Sequence, residues 1–360
     1  IKEFREPEQE PDCYLISSVR KRMPKRPIIG ISSGDPNGIG PEVVLKSFQN
    51  EQVLKESSLV VFGNKSLYEF YSKTLNISLP AHESIDSMKA IQKSGLYFFE
   101  HESLEFDAKP GELSSEAGKI AFNSLELCVD QALAGNIDAI LTPPINKSNI
   151  QSAHFQFPGH TEYLAHKSAC SEALMFMVYQ GFRVAMVSGH VALKDVSKNI
   201  TEDKIIARCQ AVNRSLIKDF GLGNPRIAVL SLNPHAGDLG LLGTEEQEII
   251  GPSIERLKQE GIQCEGPFPS DGFFGSSKQD EYDAVVAMYH DQALIPFKAI
   301  SFDKGVNFTA ELPIIRSSPD HGTAMDIAGK ALASSKSFEA ALRLAIDVYH
   351  KRSRSQDIKA

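Results

Sequence analysis

The 360 residues carry a formal net charge of −8, with 42% hydrophobic residues, 23% charged residues and no Trp. This is the balance of a globular chain of two domains or one large α/β unit, not of a disordered or fibrous one. The acidity disfavours nucleic acid or an anionic membrane surface as the main partner. The five cysteines (Cys13, Cys128, Cys170, Cys209, Cys264) form no CxxC pair, which argues against a disulfide framework or a cysteine-held zinc and for a reducing cytoplasm.

Residues 1–22 read as a charged extension. Glu-Pro-Glu-Gln-Glu-Pro is followed by Arg20, Lys21 and Arg22, so this stretch is expected to be disordered and outside the catalytic fold, with Met23 as the native start. No apolar run reaches the roughly 18–20 residues of a membrane span. Ile28–Ser32 predicts a strand, Gly34–Gly40 a Gly-rich loop, and Pro41 onward a helix with proline in its first turn. Leu59–Phe62 is a second strand, Gly118–Leu133 a helix stopped by Gly135-Asn136, and Ala139–Leu141 a buried strand ending in Thr142-Pro143-Pro144. Strands follow at Arg183–Val187, Ile227–Leu232 and Ala284–Met288, with a helix at Glu202–Phe220. Gly322–Leu332 and Phe338–Tyr349 read as closing helices. The alternation predicts an α/β fold with mostly parallel strands covered by helices.

Ligands of such sheets gather at the carboxyl ends of strands. His190, His235 and His290 each follow a predicted apolar strand. Three imidazoles at one sheet edge suit a divalent metal with open positions, while Asp238 and Asp291 stand near enough to orient the rings. The competing reading is three unrelated histidines that bond loop carbonyls. His160 in Gly-His-Thr-Glu precedes a helix whose free N–H groups suit an anion, or Thr161 is simply the cap. Lys298, Asn307 and Arg316 lie in polar surroundings, where Lys and Arg hold phosphate or carboxylate or are plain surface charges. The first loop has glycines for a phosphate or cofactor turn, but neither the GxGxxG nor the P-loop spacing. Asp326 is a candidate partner of the NAD ribose, repelling the extra phosphate of NADP, or one acidic residue of a helix start.

Gly-Asp-Pro-Asn-Gly-Ile-Gly-Pro-Glu, Gly-His-Thr-Glu, Asn-Pro-His-Ala-Gly, Met-Tyr-His-Asp-Gln and Leu-Pro-Ile-Ile-Arg-Ser-Ser-Pro-Asp-His-Gly-Thr-Ala occur in this order between Ile28 and Lys330. Together they resemble the 4-hydroxythreonine-4-phosphate dehydrogenase family of pyridoxal phosphate biosynthesis. The resemblance implies a divalent metal on His190, His235 and His290, with zinc favoured over magnesium, cobalt, manganese or nickel. It implies substrate contacts at His160, Thr161, Lys298, Asn307 and Arg316, and a homodimer with a shared active site. The end loops are similar to the wider isocitrate and isopropylmalate dehydrogenase group. That likeness implies an interdomain cleft and NAD, with NADP as the alternative, at His321, Gly322, Thr323, Ala324 and Asp326. The expected domains are 23–147 plus 304–360 on the cofactor side and 148–303 for metal, substrate and dimerisation.

The implied reaction is oxidation of 4-phosphooxy-L-threonine at C3, with Lys298 or Asp291 taking the proton, then decarboxylation to 3-amino-1-hydroxyacetone phosphate. Asn146-Lys147 stands where many members have His-Lys, and Ala293 where many have Gly. These departures leave 4-phospho-D-threonate and 4-phospho-D-erythronate open as substrates. A metal-free phosphate acyltransferase on a similar fold is the competing class, and the post-strand histidines and the Asp326 loop argue against it.

Overall fold

A computed structural model describes residues 26–99, 106–152, 155–170 and 173–357. The 1–22 extension, Met23 and Cys13 fall outside the described residues. Twelve strands form one sheet: β1 (Ile28–Ser32), β2 (Ser58–Phe62), β3 (His82–Ile85), β4 (Gly95–Phe99), β5 (Ala139–Leu141), β6 (Leu174–Tyr179), β7 (Phe182–Ser188), β8 (Arg226–Leu230), β9 (Gln263–Phe268), β10 (Ala284–Tyr289), β11 (Val306–Ala310) and β12 (Ile315–Pro319). They lie in the order β3-β4-β2-β1-β5-β12-β11-β6-β7-β10-β8-β9. Pairing is parallel except at the centre, where β11 runs antiparallel to β12 and β6, and β6 antiparallel to β7. The chain is therefore mixed α/β with a mostly parallel sheet, as expected.

β2, β4, β5 and β10 are apolar runs because both sheet faces are covered over most of their width. Alternation sends Leu59 and Val61 of β2 to one core and Val60 and Phe62 to another. The first core runs the full width of the sheet, from Ile29 and Leu141 through Phe308 and Phe176 to Val229. Helix Lys336–Asp357 covers its centre with Phe338, Leu342 and Ile346, and Ser317 Oγ donates to the Ala341 carbonyl at 2.8 Å.

The opposite face carries two separate cores. One gathers Phe122, Leu125 and Phe155 around helix Ser115–Leu133. The other gathers Met177, Val285, Phe273 and Phe297. Of these two, the first reaches Ile140 of β5 and the second Met177 of β6, and neither extends over β11 and β12 between them. There the side chains that alternate onto this face are polar: Thr142 just after β5, Arg316 and Ser318 on β12, Asn307 and Thr309 on β11. The register pairs Asn307 with Ser318 and Thr309 with Arg316. This gap in the covering layer is the cleft.

Residues 322–332 correct one expectation. They form turns rather than a helix, because Ala324, Gly329 and Ala331 have φ of 40°, 74° and 59°, which a right-handed helix cannot pass through. Ile327 and Ala328, whose spacing suggested a helix, pack on the long core instead. Strands β11 and β12 escape the sequence reading because Asn307, Thr309, Arg316, Ser317 and Ser318 interrupt their apolar pattern. Among the described residues no helix is long and apolar enough to cross a membrane.

Candidate active site

Two adjoining cavities of about 490 and 630 Å³ occupy the cleft and share Met175, His190, Asn307, Pro319, His321 and Gly322. The first is lined also by His160, Thr161 and Arg316, the second by His290, Asp291 and Lys298. Residues spread from 160 to 322 in the chain thus meet because β5, β12, β11, β6 and β7 are neighbours.

Arg316 sets the electrostatics of the first cavity. It is only 2% exposed. Its Nε and Nη2 donate to Thr142 Oγ1 at 3.0 and 2.8 Å, and Nη1 donates to Thr309 Oγ1 at 2.8 Å. Among the described residues no carboxylate forms an ion pair with it; Glu162 supplies only a more distant favourable field. Burial lowers its pKa to about 9, so it stays charged at neutral pH. A guanidinium has five N–H donors, and hydroxyls take three. A buried cation with unused donors beside a cavity is a receptor for carboxylate or phosphate.

His160 opens helix His160–Lys167, with Gly159 at the cap and no side-chain cap bond, so Thr161 is not the cap. Burial holds the His160 pKa well below its ordinary value, with Arg316 and Lys147 adding positive field. Its Nε2 is buried without a partner. His321 is likewise held low, first by burial, and its Nε2 is also buried and unpartnered. Asn307 Oδ1 is a third such atom. Two neutral imidazoles and an amide oxygen, each with an unmet hydrogen bond, line one cavity and await a polar ligand.

At the second cavity the rings of His190 and His290 lie 5.8 Å apart, centroid to centroid. The register of β7 with β10, Ser188 opposite Tyr289, explains the meeting. Asp291 Oδ1 lies 2.6 Å from His290 Nδ1, which fixes the ring and leaves Nε2 for a ligand. Lys298 Nζ approaches Asp320 Oδ1 at 3.6 Å, and burial raises the Asp320 pKa. His235 is placed differently from the expectation. β8 ends at Leu230, so His235 comes five residues later, exposed, in a left-handed turn. Among the described residues no three His, Cys, Asp or Glu side chains stand together as a metal site. The His190–His290 pair fits two positions of a divalent ion by its chemistry and its Asp291 support.

His321 and Gly322 line the cleft, and Thr323 and Ala324 lead away from it to the exposed Asp326. The Gly-rich loop is not an open cradle. Residues 33–41 are buried, and their polar groups are already used. Asn149 Nδ2 donates to Asp35 Oδ2 at 2.8 Å, Lys109 N to Asn37 Oδ1 at 2.8 Å, and Ile39 N to the Thr323 carbonyl at 3.0 Å. A Cβ on Gly34, at φ 64°, would sit 2.8 Å from the Pro144 carbonyl. The loop locks the 323 segment against the sheet.

Sequence reasoning missed Thr142, Lys147, Glu162, Met175 and Asp320 as cleft residues. Thr142 and Asp320 directly follow β5 and β12, so the strand-end rule that singled out the histidines reaches both. Lys147 carries no signal beyond lying near the end of β5, and Glu162 closes the Gly-His-Thr-Glu motif.

A model of the family described as pyridoxal phosphate biosynthetic protein PdxA matches residues 55–345. The chain is 44% identical over 332 residues to 4-hydroxythreonine-4-phosphate dehydrogenase of Bacteroides thetaiotaomicron, covering 91% of this chain and 90% of that one. It is 37% identical to an Oceanobacillus iheyensis protein provisionally named D-threonate 4-phosphate dehydrogenase, covering 91% and 99%. The crystal structure of 4-hydroxythreonine-4-phosphate dehydrogenase from Klebsiella pneumoniae is similar with a TM-score of 0.78 at 34% identity, covering 90% and 99%.

Proposed function

The chain belongs to the PdxA family of pyridoxal phosphate biosynthetic proteins, and on that premise we propose that it oxidises 4-phosphooxy-L-threonine at C3. The observation that carries this reading is Arg316, a buried guanidinium with no carboxylate partner among the described residues, beside the cavity that His160 and His321 also line. Arg316, Thr161 and the neutral His160 bind the anionic groups of the substrate, and Asn307 accepts from a substrate N–H or O–H. His190 and His290, with His235 as the third ligand that the family resemblance implies, would hold a divalent cation, zinc by donor type. A bound NAD would supply the hydride acceptor, and a bound cation would supply positive charge against negative charge on the substrate oxygen.

Lys298 stands beside the reacting end of the cleft. It receives the hydroxyl proton as it passes its own to Asp320, whose carboxylate burial has made more basic. Asp291 is committed to orienting His290 and is not the proton acceptor in this reading. The 3-oxo product is a β-keto acid and loses CO2 to give 3-amino-1-hydroxyacetone phosphate. The 321–326 loop would hold the adenosine side of NAD, and Asp326 would accept from the ribose hydroxyls. The strand order supports a division into a cofactor-side lobe of 23–147 plus 304–360 and a second lobe of 148–303. Exposed Leu193 and Ile295 line cavities beside His290, and exposed Leu239 and Leu241 follow His235 in the chain, which supports a homodimer across that edge.

The Oceanobacillus relative supports 4-phospho-D-threonate as a second reading. NADH formation with the 4-phosphorylated hydroxythreonine, D-threonate and D-erythronate decides between them. Turnover only of the threonate or erythronate overturns the first assignment, and full activity after chelation to metal-free protein overturns the metal.

A further inference from the structure

Lys147 lines the first cavity together with Arg316 and His160, and the reaction as read so far gives it no task. It stands shortly past the end of β5, in a turn that is firmly held. Asn146 Oδ1 accepts from the N–H groups of Ser148 and Asn149 at 2.9 and 3.4 Å, and the Asn146 carbonyl accepts from Ile150 N at 3.2 Å. Asn149 Nδ2 donates to the buried Asp35. The Asn149 carbonyl passes so close to Gly118 that a Cβ there would stand 2.0 Å from it, and Ile150 packs in the core beside helix Ser115–Leu133. The Lys147 side chain is the exception in this turn. It is exposed, and among the described residues no hydrogen bond or ion pair holds its ammonium. The root of the lysine is fixed while its charge is uncommitted.

That charge reaches into the cavity. After burial, the fields of Arg316 and Lys147 are the causes that lower the His160 pKa. A Cβ on Gly159 would stand 3.9 Å from Lys147 Cε and 3.5 Å from Glu162 Oε2. The lysine therefore lies against the start of helix His160–Lys167, which has no side-chain cap and whose first N–H groups carry partial positive charge. Glu162 is the carboxylate of this lining, and among the described residues it forms an ion pair with neither Lys147 nor Arg316. Arg208, also in the lining, has a partner of its own. Counted against Glu162, Arg316 alone leaves the cavity with no net charge, and Lys147 makes it positive. A carboxylate ligand brings one negative charge. A phosphomonoester brings close to two at neutral pH, because its second pKa is about 6.

We propose that Lys147 is a substrate-binding residue that supplies the second positive charge for a phosphate dianion in the first cavity, and so tunes the site to 4-phosphorylated substrates over their unphosphorylated counterparts. The inference rests on the reading of the first cavity as an anion receptor and is independent of any cation at the histidines.

The test is calorimetric titration of the full-length chain with two probes of similar shape. At about pH 8 methyl phosphate carries two negative charges and dimethyl phosphate one. Parent, Lys147→Met, Lys147→Arg and Arg316→Met are compared, with Lys147→Gln read in the same way as Lys147→Met should the latter fail to fold. Lys147→Met is expected to weaken methyl phosphate roughly ten- to a hundredfold, as for one charge-assisted hydrogen bond. It should weaken dimethyl phosphate by about threefold or less. Lys147→Arg restores most of the preference for the dianion, and Arg316→Met weakens both probes. Methyl phosphate binding within about twofold of the parent in Lys147→Met, or an equal loss of both probes, overturns the proposal and leaves the anion receptor standing. A parent that binds neither probe, or an Arg316→Met variant that binds both as the parent does, overturns the anion receptor itself.

Discussion

Replacing Arg316 by Met separates a binding role from a structural one. The guanidinium uses three N–H groups on Thr142 and Thr309, which leaves two for a substrate anion. Charge-assisted hydrogen bonds contribute about 1.5–3 kcal/mol each. Losing one or two of them, about 3–4 kcal/mol together, lowers kcat/KM roughly 10²–10³-fold. Stability moves differently. Burial holds the Arg316 pKa at about 9, well below its value in solvent, so keeping the charge in the fold costs on the order of several kcal/mol. That cost is present at neutral pH and is relieved only as the pH climbs through 9. Met removes it at little change in volume, so the variant should melt at or above the parent temperature. Inorganic phosphate supplies the check. At about 100 times its Kd it stabilises the parent by about 2.7 kcal/mol, seen as a rise in Tm, and it should leave Arg316→Met unmoved. A variant that melts well below the parent yet keeps its phosphate shift would refute the reasoning, because Arg316 would then be a brace of the core.

Three further outcomes are expected. His160 has a folded pKa below its ordinary 6.5, so the unfolded chain takes up that proton first; stability is whole above pH 6.5 and falls as the pH drops through the window beneath it. Urea titrations at neutral and mildly acidic pH should show a shallower acid loss in His160→Asn, and an equal loss speaks against the burial argument. Asp326→Ala should narrow the preference for NAD over NADP in kcat/KM ratios; an unchanged ratio removes Asp326 from the cofactor site. Glu42 is buried and accepts from Lys46 Nζ and from Ala333 N, each at 2.8 Å. Glu42→Ala strands that N–H and should cost about 2–3 kcal/mol in urea unfolding, and a loss under about 1 kcal/mol would mean that the 331–333 segment finds another partner.

The α/β class, β1, β2, β5, β7, β8 and β10, and the helices at 115–133, 202–218 and 336–357 were legible from the residues alone. Each is a local apolar run or a helical spacing long enough to declare itself, bounded by glycine or proline. His190 and His290 were legible for the same reason, since a strand end can be read from one segment. Other features depend on what lies alongside in space. The polar strands β11 and β12 carry little apolar signal, and they are strands because β5 and β6 offer them hydrogen-bonding edges. The 322–332 segment has helical spacing, yet packing against the first loop and the long core holds it in turns. Arg316 was a candidate from its motif, but its setting comes from Thr142, in a segment 174 residues away, and from the uncovered centre of one sheet face, which bury it with no ion-paired acid among the described residues. Burial and the absence of a counter-charge are properties of neighbours distant in the chain. The motif that carries Arg316 made it a candidate from the sequence; that it is buried beside a cavity was decided by the tertiary structure.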